Sequence, residues 1–384
     1  MTSTAPITPP EPDELEISIF GPGFGESIVA HLGWGDWVIV DSCLEPDGLT
    51  PVGLGYLRRL GADPATAVKR VVATHWHDDH VKGLAQTVRD CPGAKFICST
   101  ALLKKEFVAY TDLWKQKGLT DSPVSELSGV LERITQSVPV PDTVPYPVGF
   151  ALANRCLWKR TPAHGEAINT AAELHSLSPS DASLARSLQE IAALLTESGP
   201  LVKPGASRPN HFSVVLWLSV AGVRCLLGAD MEEQDNPCGG WKVIVESQER
   251  PTGQASLVKV PHHGSVTGEF EGVWTQMLIP SPSAILSPFR RGKVQLPTPD
   301  DASRICGRTS DAFITAGLRN KPSRGRTGSV NRTIQETVRY IRRVNDSFGH
   351  VRARCSLRTG ASVWSVSCFG DAIPLSALYG GQSA

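Results

Sequence analysis

The sequence has no Cys-x-x-Cys pair, no net charge and no long uninterrupted apolar run, and each absence excludes a class of protein. Its 9 cysteines are scattered and odd in number, which argues against a disulfide framework or a cysteine zinc site and favours a reducing compartment. Basic and acidic residues number 38 each, so there is no overall positive field for nucleic acid. Any such partner would need a local basic patch.

Nothing in the chain predicts a membrane span. The longest apolar stretch, Val214 to Leu227, is too short to cross a bilayer and is interrupted by Ala221-Gly222 and Arg224. Residues 1–14 lack the basic and apolar regions of a signal peptide, and we expect a disordered leader there. The protein is therefore expected in the cytoplasm, with no membrane partner.

Regular structure is predicted over most of the remaining chain. Apolar periodicity and turn residues predict strands over 15–20, 27–31, 37–41, 71–73, 95–98, 172–177, 212–220, 223–227, 256–260, 284–287, 312–315, 351–356 and 362–368. They predict helices over 51–60, 83–89, 102–117, 124–136, 181–197 and 331–344. Prolines between 139 and 147 exclude regular structure there, and 321–326 reads as a basic loop.

The residues that carry chemistry are concentrated after one short strand. Val71, Val72 and Ala73 predict a buried strand. The six positions from 75 to 80 then hold 3 of the chain's 10 histidines and two aspartates: His75, His77, Asp78, Asp79 and His80. Imidazole nitrogens and carboxylate oxygens are ligands that suit zinc and similar divalent ions. A loop that leaves a strand can aim alternate residues at one point. His75 and His77 can therefore share one metal, and Asp79 and His80 can reach a second.

The pattern His-x-His-x-Asp-His after a short apolar strand resembles the signature of the metallo-β-lactamase fold. Spaced motifs over residues 15–300 resemble, more narrowly, the hydrolase domain of the DNA-uptake channel proteins of competent bacteria. This resemblance implies an α/β protein, a four-layer αββα sandwich with a largely helical insertion and a C-terminal extension. The hydrolase domain would span 15–300, with 101–207 as a helical insertion or lid, and 301–384 would complete or flank the same domain.

The resemblance also implies two divalent metal ions, zinc or alternatively manganese. In the order that the superfamily uses, the first ion would be held by His75, His77 and His211, and the second by Asp79, His80 and His263. Asp230 would bridge both ions with its two carboxylate oxygens. Asp41 matches an acid that supports the metal loop by hydrogen bonding and does not ligate.

Two assignments stay open at this point. Asn210 and Ser213 match an Asn-x-x-Ser pattern of the competence-type domains, and that pattern does not itself require His211 as a ligand. In Pro-His-His-Gly, His263 is expected to be the ligand and His262 to face the substrate, but the two could be exchanged.

The implied chemistry is hydrolysis by a hydroxide held between two metals. Asp79, Asp230 and His262 are the expected catalytic residues, with His262 or Asp78 as the proton donor to the leaving group. We expect a phosphodiesterase or nuclease acting on a phosphate-containing substrate, because arginine forks match phosphate geometry and a basic run follows a strand at this face: Arg290, Arg291 and Lys293. The alternatives are a carboxylic ester, lactone or thioester hydrolase, and a metal-stabilised binding or sensor module of a larger assembly.

Overall fold

The protein is described here from a computed structural model that covers residues 7–99, 123–136, 148–162, 169–186, 189, 209–234, 238–317, 337, 348–358 and 362–379. Most of these residues lie in, or directly beside, two eight-stranded sheets. Within these ranges, no helix is long and apolar enough to cross a membrane.

The first sheet is antiparallel at one side and parallel at the other. Its strands, numbered along the chain, are β1 (Glu14–Gly21), β2 (Ser27–Leu32), β3 (Trp37–Val40), β4 (Val68–Ala73), β5 (Lys95–Ser99), β6 (Val148–Ala151), β16 (Gly349–Ser356) and β17 (Ser365–Gly370). They follow the order β17-β16-β1-β2-β3-β4-β5-β6. The run from β3 to β6 is parallel. The carboxyl ends of these strands therefore meet at one edge.

The second sheet mirrors this arrangement. It contains β7 (Arg155–Arg160), β8 (Ala172–Ser176), β9 (Leu216–Val220), β10 (Val223–Leu227), β11 (Ala255–Lys259), β12 (Leu278–Leu286), β15 (Ala312–Ile314) and β18 (Ile373–Pro374). The order is β18-β15-β12-β11-β10-β9-β8-β7, with a parallel run from β10 to β15. A separate hairpin joins β13 (Phe289–Arg291) to β14 (Val294–Leu296).

The sheets face each other, and helices cover their outer faces. Alternate strand residues point to opposite faces, so Ile17 and Leu218 enter the core between the sheets while Trp217 enters the outer core of the second sheet. The helices are α1 (Val52–Arg59), α2 (Pro64–Ala67), α3 (Asp78–Val81), α4 (Leu84–Asp90), α5 (Pro123–Gln136), α6 (Gly240–Glu246) and α7 (Pro299–Arg308). Leu54 of α1 packs with the first sheet and Trp241 of α6 with the second. The predicted four-layer αββα architecture is confirmed.

Several elements differ from the prediction. Within the insertion over 101–207, strands β6 and β7 were not predicted, whereas β8 and α5 match the predicted strand over 172–177 and helix over 124–136. Both β6 and β7 are edge strands; β7 has charged residues on its exposed side, and β6 is short and contains Gly149, so neither shows a clear alternation. The helix α6 was not predicted, since Val-Ile-Val within it favours a strand locally. The predicted helices over 102–117 and 331–344 and the basic loop over 321–326 lie outside the described residues, apart from residue 337.

Strand β1 is held in the first sheet by a strand from the segment over 301–384. Strand β1 pairs with β16 along its whole length, from Glu14 opposite Ser356 to Gly21 opposite Gly349. Part of the expected disordered leader is held here as well, because Arg354 donates to the carbonyl of Thr8 at 2.5 Å and Arg358 pairs with Asp13. The segment over 301–384 supplies strands to both sheets.

We expect Gly349→Ala to lower the free energy of unfolding by about 3 kcal/mol, at the upper end of overpacking effects. A methyl group at Gly349 would lie 1.5 Å from the backbone oxygen of Thr315, which cannot move without displacing the second sheet. Urea unfolding measures the effect. The control is Gly307→Ala, where no atom lies within 4 Å of the added carbon and the helical site should gain a few tenths of a kcal/mol. If the two substitutions change the free energy of unfolding equally, Gly349 does not lie as close to the Thr315 backbone as described.

Candidate metal centre

The candidate metal ligands come from loops that follow parallel strands in both sheets. His75 to His80 follow β4, Asp230 follows β10, and His263 follows β11. Facing parallel strands that end at the same edge bring their loops together. Ligands far apart in sequence therefore meet between the two sheets.

Asp41, at the end of β3, holds the loop that follows β4. Its Oδ1 accepts the Thr74 backbone N–H at 2.7 Å, and its Oδ2 accepts the Thr74 hydroxyl at 2.7 Å. The same carboxylate lies 2.8 Å from His80 Nδ1, and Thr74 Oγ1 lies 2.9 Å from His75 Nδ1. When Nδ1 of each ring carries the proton for these bonds, Nε2 of each is left as a lone-pair donor to a metal.

Four buried side chains converge on a first group: Asp79, His80, Asp230 and His263. One ligand atom from each lies within 4.8 Å of all the others. Asp79 Oδ2, His80 Nε2 and His263 Nε2 are buried and make no hydrogen bond. A buried polar atom without a partner is costly unless something else occupies its lone pair. A metal ion at the centre of this group would satisfy all three.

The orientation of His263 is set by the strand beside it. Its Nδ1 lies 3.1 Å from the backbone oxygen of Ser287 and 3.2 Å from the hydroxyl of that residue. The Ser287 hydroxyl in turn donates to the buried carboxylate of Glu26. His263 Nε2 is thereby directed at Asp230 and Asp79, whose Oδ2 atoms lie 3.1 Å and 3.3 Å away.

A second group contains His75, His77 and Asp230, again with ligand atoms within 4.8 Å of one another. His75 Nε2 lies 3.1 Å from His77 Nδ1 and 3.9 Å from Asp230 Oδ2. Burial lowers the pKa of His75 well below its usual value, so this ring is neutral and able to ligate. Asp230 belongs to both groups, as a bridging ligand must.

The carboxylate of Asp230 differs from the expected bridge in one respect. Its Oδ2 faces both groups, at 3.3 Å from His80 Nε2 as well as near His263 and His75, whereas its Oδ1 points away. That second oxygen lies 3.3 Å from the ammonium of Lys259. The sequence predicted that each oxygen would serve one ion, and that prediction stays open. One oxygen is presented to both groups.

The charges of this cluster stabilise one another. Burial would raise the pKa of Asp230, but His263, His80 and Lys259 outweigh it and hold that pKa well below its usual value. Burial would lower the pKa of His263, but Asp230 and Asp79 outweigh it and raise that pKa to about 9. Without a metal the site is thus a set of buried ion pairs. A divalent ion that binds there would displace protons from the rings.

His211 and His262 lie together in a neighbouring polar cluster. His211 Nε2 is 3.5 Å from Glu232 Oε2, and His262 Nδ1 is 3.0 Å from Glu232 Oε1. Asn210 Nδ2 lies 3.2 Å from His262 Nε2. His211 is absent from both candidate metal groups, and its role as a ligand stays a prediction. Within the His-His pair, it is His263 that joins the metal group and His262 that faces Glu232.

The three basic residues after β12 occupy different environments. Arg290 donates from its guanidinium to the carbonyl of Gly317 and is half-buried. Arg291 is exposed, with Nη1 3.3 Å from Asp78 Oδ2. Lys293 is exposed in the turn between β13 and β14. Of the three, Arg291 is the one that the structure describes in contact with the metal loop.

Some residues of the site were not anticipated from the sequence. Glu26, Lys259, Ser287 and Glu232 contact the candidate ligands, yet none belongs to the histidine motif. Lys259 did carry a signal, because it is a lone charge in the apolar strand Ala255–Lys259. Glu26 lies more than two hundred residues from Lys259 and Ser287, and nothing in its local sequence indicates that contact.

The sandwich architecture, with histidines and aspartates gathered at the strand ends, defines a class: this chain has the metallo-β-lactamase fold. No protein-family model and no curated protein matches the sequence.

Among solved structures, the chain is similar to the metallo-β-lactamase fold protein YhfI from Bacillus subtilis, at 10% identity and a TM-score of 0.37 over 79% of this chain and 95% of that one. It is also similar to Zn²⁺-bound PqqB from Methylobacterium extorquens, at 11% identity and a TM-score of 0.29 over 68% and 73%. The metallo-β-lactamase SMB-1 gives 12% identity and a TM-score of 0.31 over 67% and 82%.

We expect the purified protein to contain about two zinc or manganese ions per chain, because two candidate groups of ligands share Asp230. Elemental analysis measures the content. Removing the metal with a chelator should lower the melting temperature, and adding zinc or manganese should restore it. Protein that holds no metal, with a melting temperature that neither ion changes, would contradict the assignment of the site.

Asp230→Asn should lose or loosen one ion and lower kcat by at least ~100-fold. The Lys259 ammonium is only a donor, so the introduced amide would turn its oxygen toward Lys259 and its nitrogen, which cannot ligate, toward the metals. Metal analysis and steady-state kinetics measure the two effects. The matched control is Asp90→Asn, which removes the same charge from a surface pair with Arg58. A variant with two ions and near-normal kcat would show that Asp230 is only a turn residue.

Proposed function

We propose that this protein is a metal-dependent hydrolase with a dinuclear centre, and that its substrate is a phosphodiester in a nucleic acid or nucleotide. The observation that carries the metal-dependent part is the set of buried ligand atoms without hydrogen bonds, on Asp79, His80 and His263. These atoms face one another and Asp230 Oδ2 at 3.1 to 3.7 Å without forming hydrogen bonds, and an ion between them would satisfy all of them. A site of this kind serves to hold an ion.

Two divalent ions, bound by the candidate groups, would supply a nucleophilic water ionised near neutral pH and would polarise the scissile bond. The protein residues keep this site closed and oriented. Asp41 and Ser287 fix the rings of His80 and His263 through their Nδ1 atoms. Asp79, whose Oδ2 makes no hydrogen bond, would orient the attacking water. Because these rings are oriented before the reaction, no free energy is needed to reorient them during it.

His262 is the proposed proton carrier to the leaving group. Asn210 can only donate from its Nδ2, so the contact with His262 Nε2 makes that nitrogen an acceptor. The proton then lies on Nδ1, which is 3.0 Å from Glu232 and 2.8 Å from the Thr267 hydroxyl. Glu232 and Thr267 hold the ring through Nδ1, so the proton for the leaving group would be carried on Nε2, in place of its contact with Asn210.

The phosphodiester assignment is supported by a group of cations and aromatic rings beside the metal loop. Arg291 lies 5.4 Å from the ring centroid of Phe24, and the ammonium of Lys82 lies 5.4 Å from the same centroid. Phe289 links this ring to the site, with its centroid 5.6 Å from that of Phe24 and 5.3 Å from that of His263. Cations suit phosphate oxygens, and a partly exposed ring such as that of Phe24 can stack on a base.

The resemblance of Pro-His-His-Gly-Ser to the motif of the DNA-uptake hydrolase domain supports the same substrate class. A carboxylic ester, lactone or thioester is the second candidate, because the same metals activate water toward a carbonyl. A binding or sensor module has no need of an open dinuclear site, and turnover of any of the three substrates would exclude it. Assays on bis(p-nitrophenyl) phosphate, an aryl ester and a lactone separate these functions.

Arg291→Ala should raise KM for a dinucleotide or single-stranded oligonucleotide about tenfold and leave turnover of a small neutral aryl ester unchanged. Only the phosphate-containing substrate needs the guanidinium, and one lost charged hydrogen bond is worth about 1.5–3 kcal/mol. Steady-state kinetics on both substrates measure the difference.

Arg58→Ala is the matched control for this change. Arg58 pairs with Asp90 at 2.7 Å on the surface and is 50% exposed, whereas Arg291 is 63% exposed and pairs with Asp78. It lies on α1, outside the metal site, and should leave both activities as they are. If Arg291→Ala lowers the two activities equally, the residue has a structural role and the phosphodiester proposal loses its support.

A further inference from the structure

A lysine with no exposed surface lies directly behind the candidate metal centre. Lys259 is the last residue of β11, and its side chain is 0% exposed. Leu257, two residues earlier, packs in the core between the sheets, and alternate strand residues face the same side. The strand therefore carries an ammonium to the end of an apolar core. A charge buried so completely must be paired and hydrogen-bonded.

The ammonium has a partner for each of its three hydrogens. Lys259 Nζ lies 2.9 Å from Glu26 Oε1 and 3.3 Å from Asp230 Oδ1, and it donates to the backbone oxygen of Ala229 at 2.7 Å. Glu26 precedes β2 in the first sheet, whereas Asp230 follows β10 in the second. Lys259 thus connects the two halves of the site.

We propose that Lys259 is a positioning residue for the metal pair, and that it makes Asp230 bridge the two ions through one oxygen. The inference rests on the proposed dinuclear centre. Because Oδ1 of Asp230 is held by Lys259, only Oδ2 is presented to His75, His80 and His263. A single shared oxygen holds two ions closer together than a carboxylate that spans them with both oxygens. Lys259 thereby determines the metal–metal separation.

The charge balance of the loaded site supports the same role. Four buried carboxylates surround it: Glu26, Asp41, Asp79 and Asp230. Two divalent ions and one hydroxide bring three positive charges, which leaves one negative charge uncompensated. The ammonium of Lys259 supplies the missing charge, and the buried site becomes neutral. A net buried charge would otherwise destabilise the folded protein.

Lys259 also acts on a metal ligand through the side chain of Glu26. The second oxygen of that carboxylate, Oε2, accepts the hydroxyl of Ser287. Ser287 in turn lies against His263 Nδ1, through both its backbone oxygen and its hydroxyl. The ammonium therefore fixes Asp230 directly and His263 through two intervening residues.

The test compares Lys259→Met with Lys259→Arg and with Lys69→Met as the matched control. Lys69 forms the same kind of lysine–aspartate pair, 3.4 Å from Asp36, outside the site. X-ray absorption on the zinc-loaded protein, with no substrate present, measures the metal–metal separation.

We expect Lys259→Met to keep two ions, to lengthen the separation from about 3.5 Å toward about 4 Å, and to lower kcat at least ~10-fold with little change in KM. Lys259→Arg, which keeps the charge, should recover part of kcat, and Lys69→Met should match the wild type.

An unchanged separation with kcat within about twofold of the wild type would overturn the proposal. If Lys259→Met does not fold, Glu26→Gln decides instead, because it keeps the shape and removes one negative charge from the balance. Chelator competition should then show the second ion bound at least ~10-fold more weakly, and unchanged affinity would overturn the proposal. A wild-type protein that never holds two ions would instead refute the dinuclear function itself, which this set of measurements reveals separately.

Discussion

The hydrogen bonds from Thr74 and His80 to Asp41 set the position of every candidate ligand in the loop after β4. The acid is aimed by the backbone, because Asp41 has a φ of 57° at the point where β3 ends. A left-handed conformation at a residue with a side chain costs about 1 kcal/mol. The bonds at 2.7 Å to the Thr74 backbone and hydroxyl offset that cost. One strained residue therefore holds a neighbouring loop in the shape that the metal chemistry requires.

Each sheet supplies half of the candidate centre. The first sheet carries His75 to His80, and the second carries Asp230 and His263, so the apolar core between the sheets decides whether the halves meet. Packed cores of this kind resist small displacements. An ion bound at the shared edge would link the sheets and stabilise the folded chain by mass action. The packing between the two sheets therefore holds together both the fold and the candidate metal centre.

The sequence predicted correctly those elements whose structure depends mainly on neighbouring residues. Short apolar runs predicted the central strands, and the spacing from His75 to His80 predicted a candidate ligand cluster. The edge strand β6 escaped prediction because it is short and contains a glycine, and β7 because charged residues lie on its exposed side. Helix α6 was missed because packing of Trp241 and Ile244 overrides the strand propensity of Val-Ile-Val. The contacts of Lys259 with Glu26, and of His262 with Glu232, depend on which loops the fold brings together, and no short window contains that information.

Because β1 pairs with β16, the first sheet can be completed only late in the synthesis of the chain. All the candidate ligands precede residue 264, whereas the partner of β1 begins at Gly349. At common translation speeds, roughly 4 to 17 s separate the emergence of these two segments from the ribosome. Throughout that interval β1 has β2 on one side and an unpaired edge on the other, an arrangement that invites association with other chains. The nascent chain is most exposed to aggregation, and most in need of a chaperone, after its candidate ligands are already made.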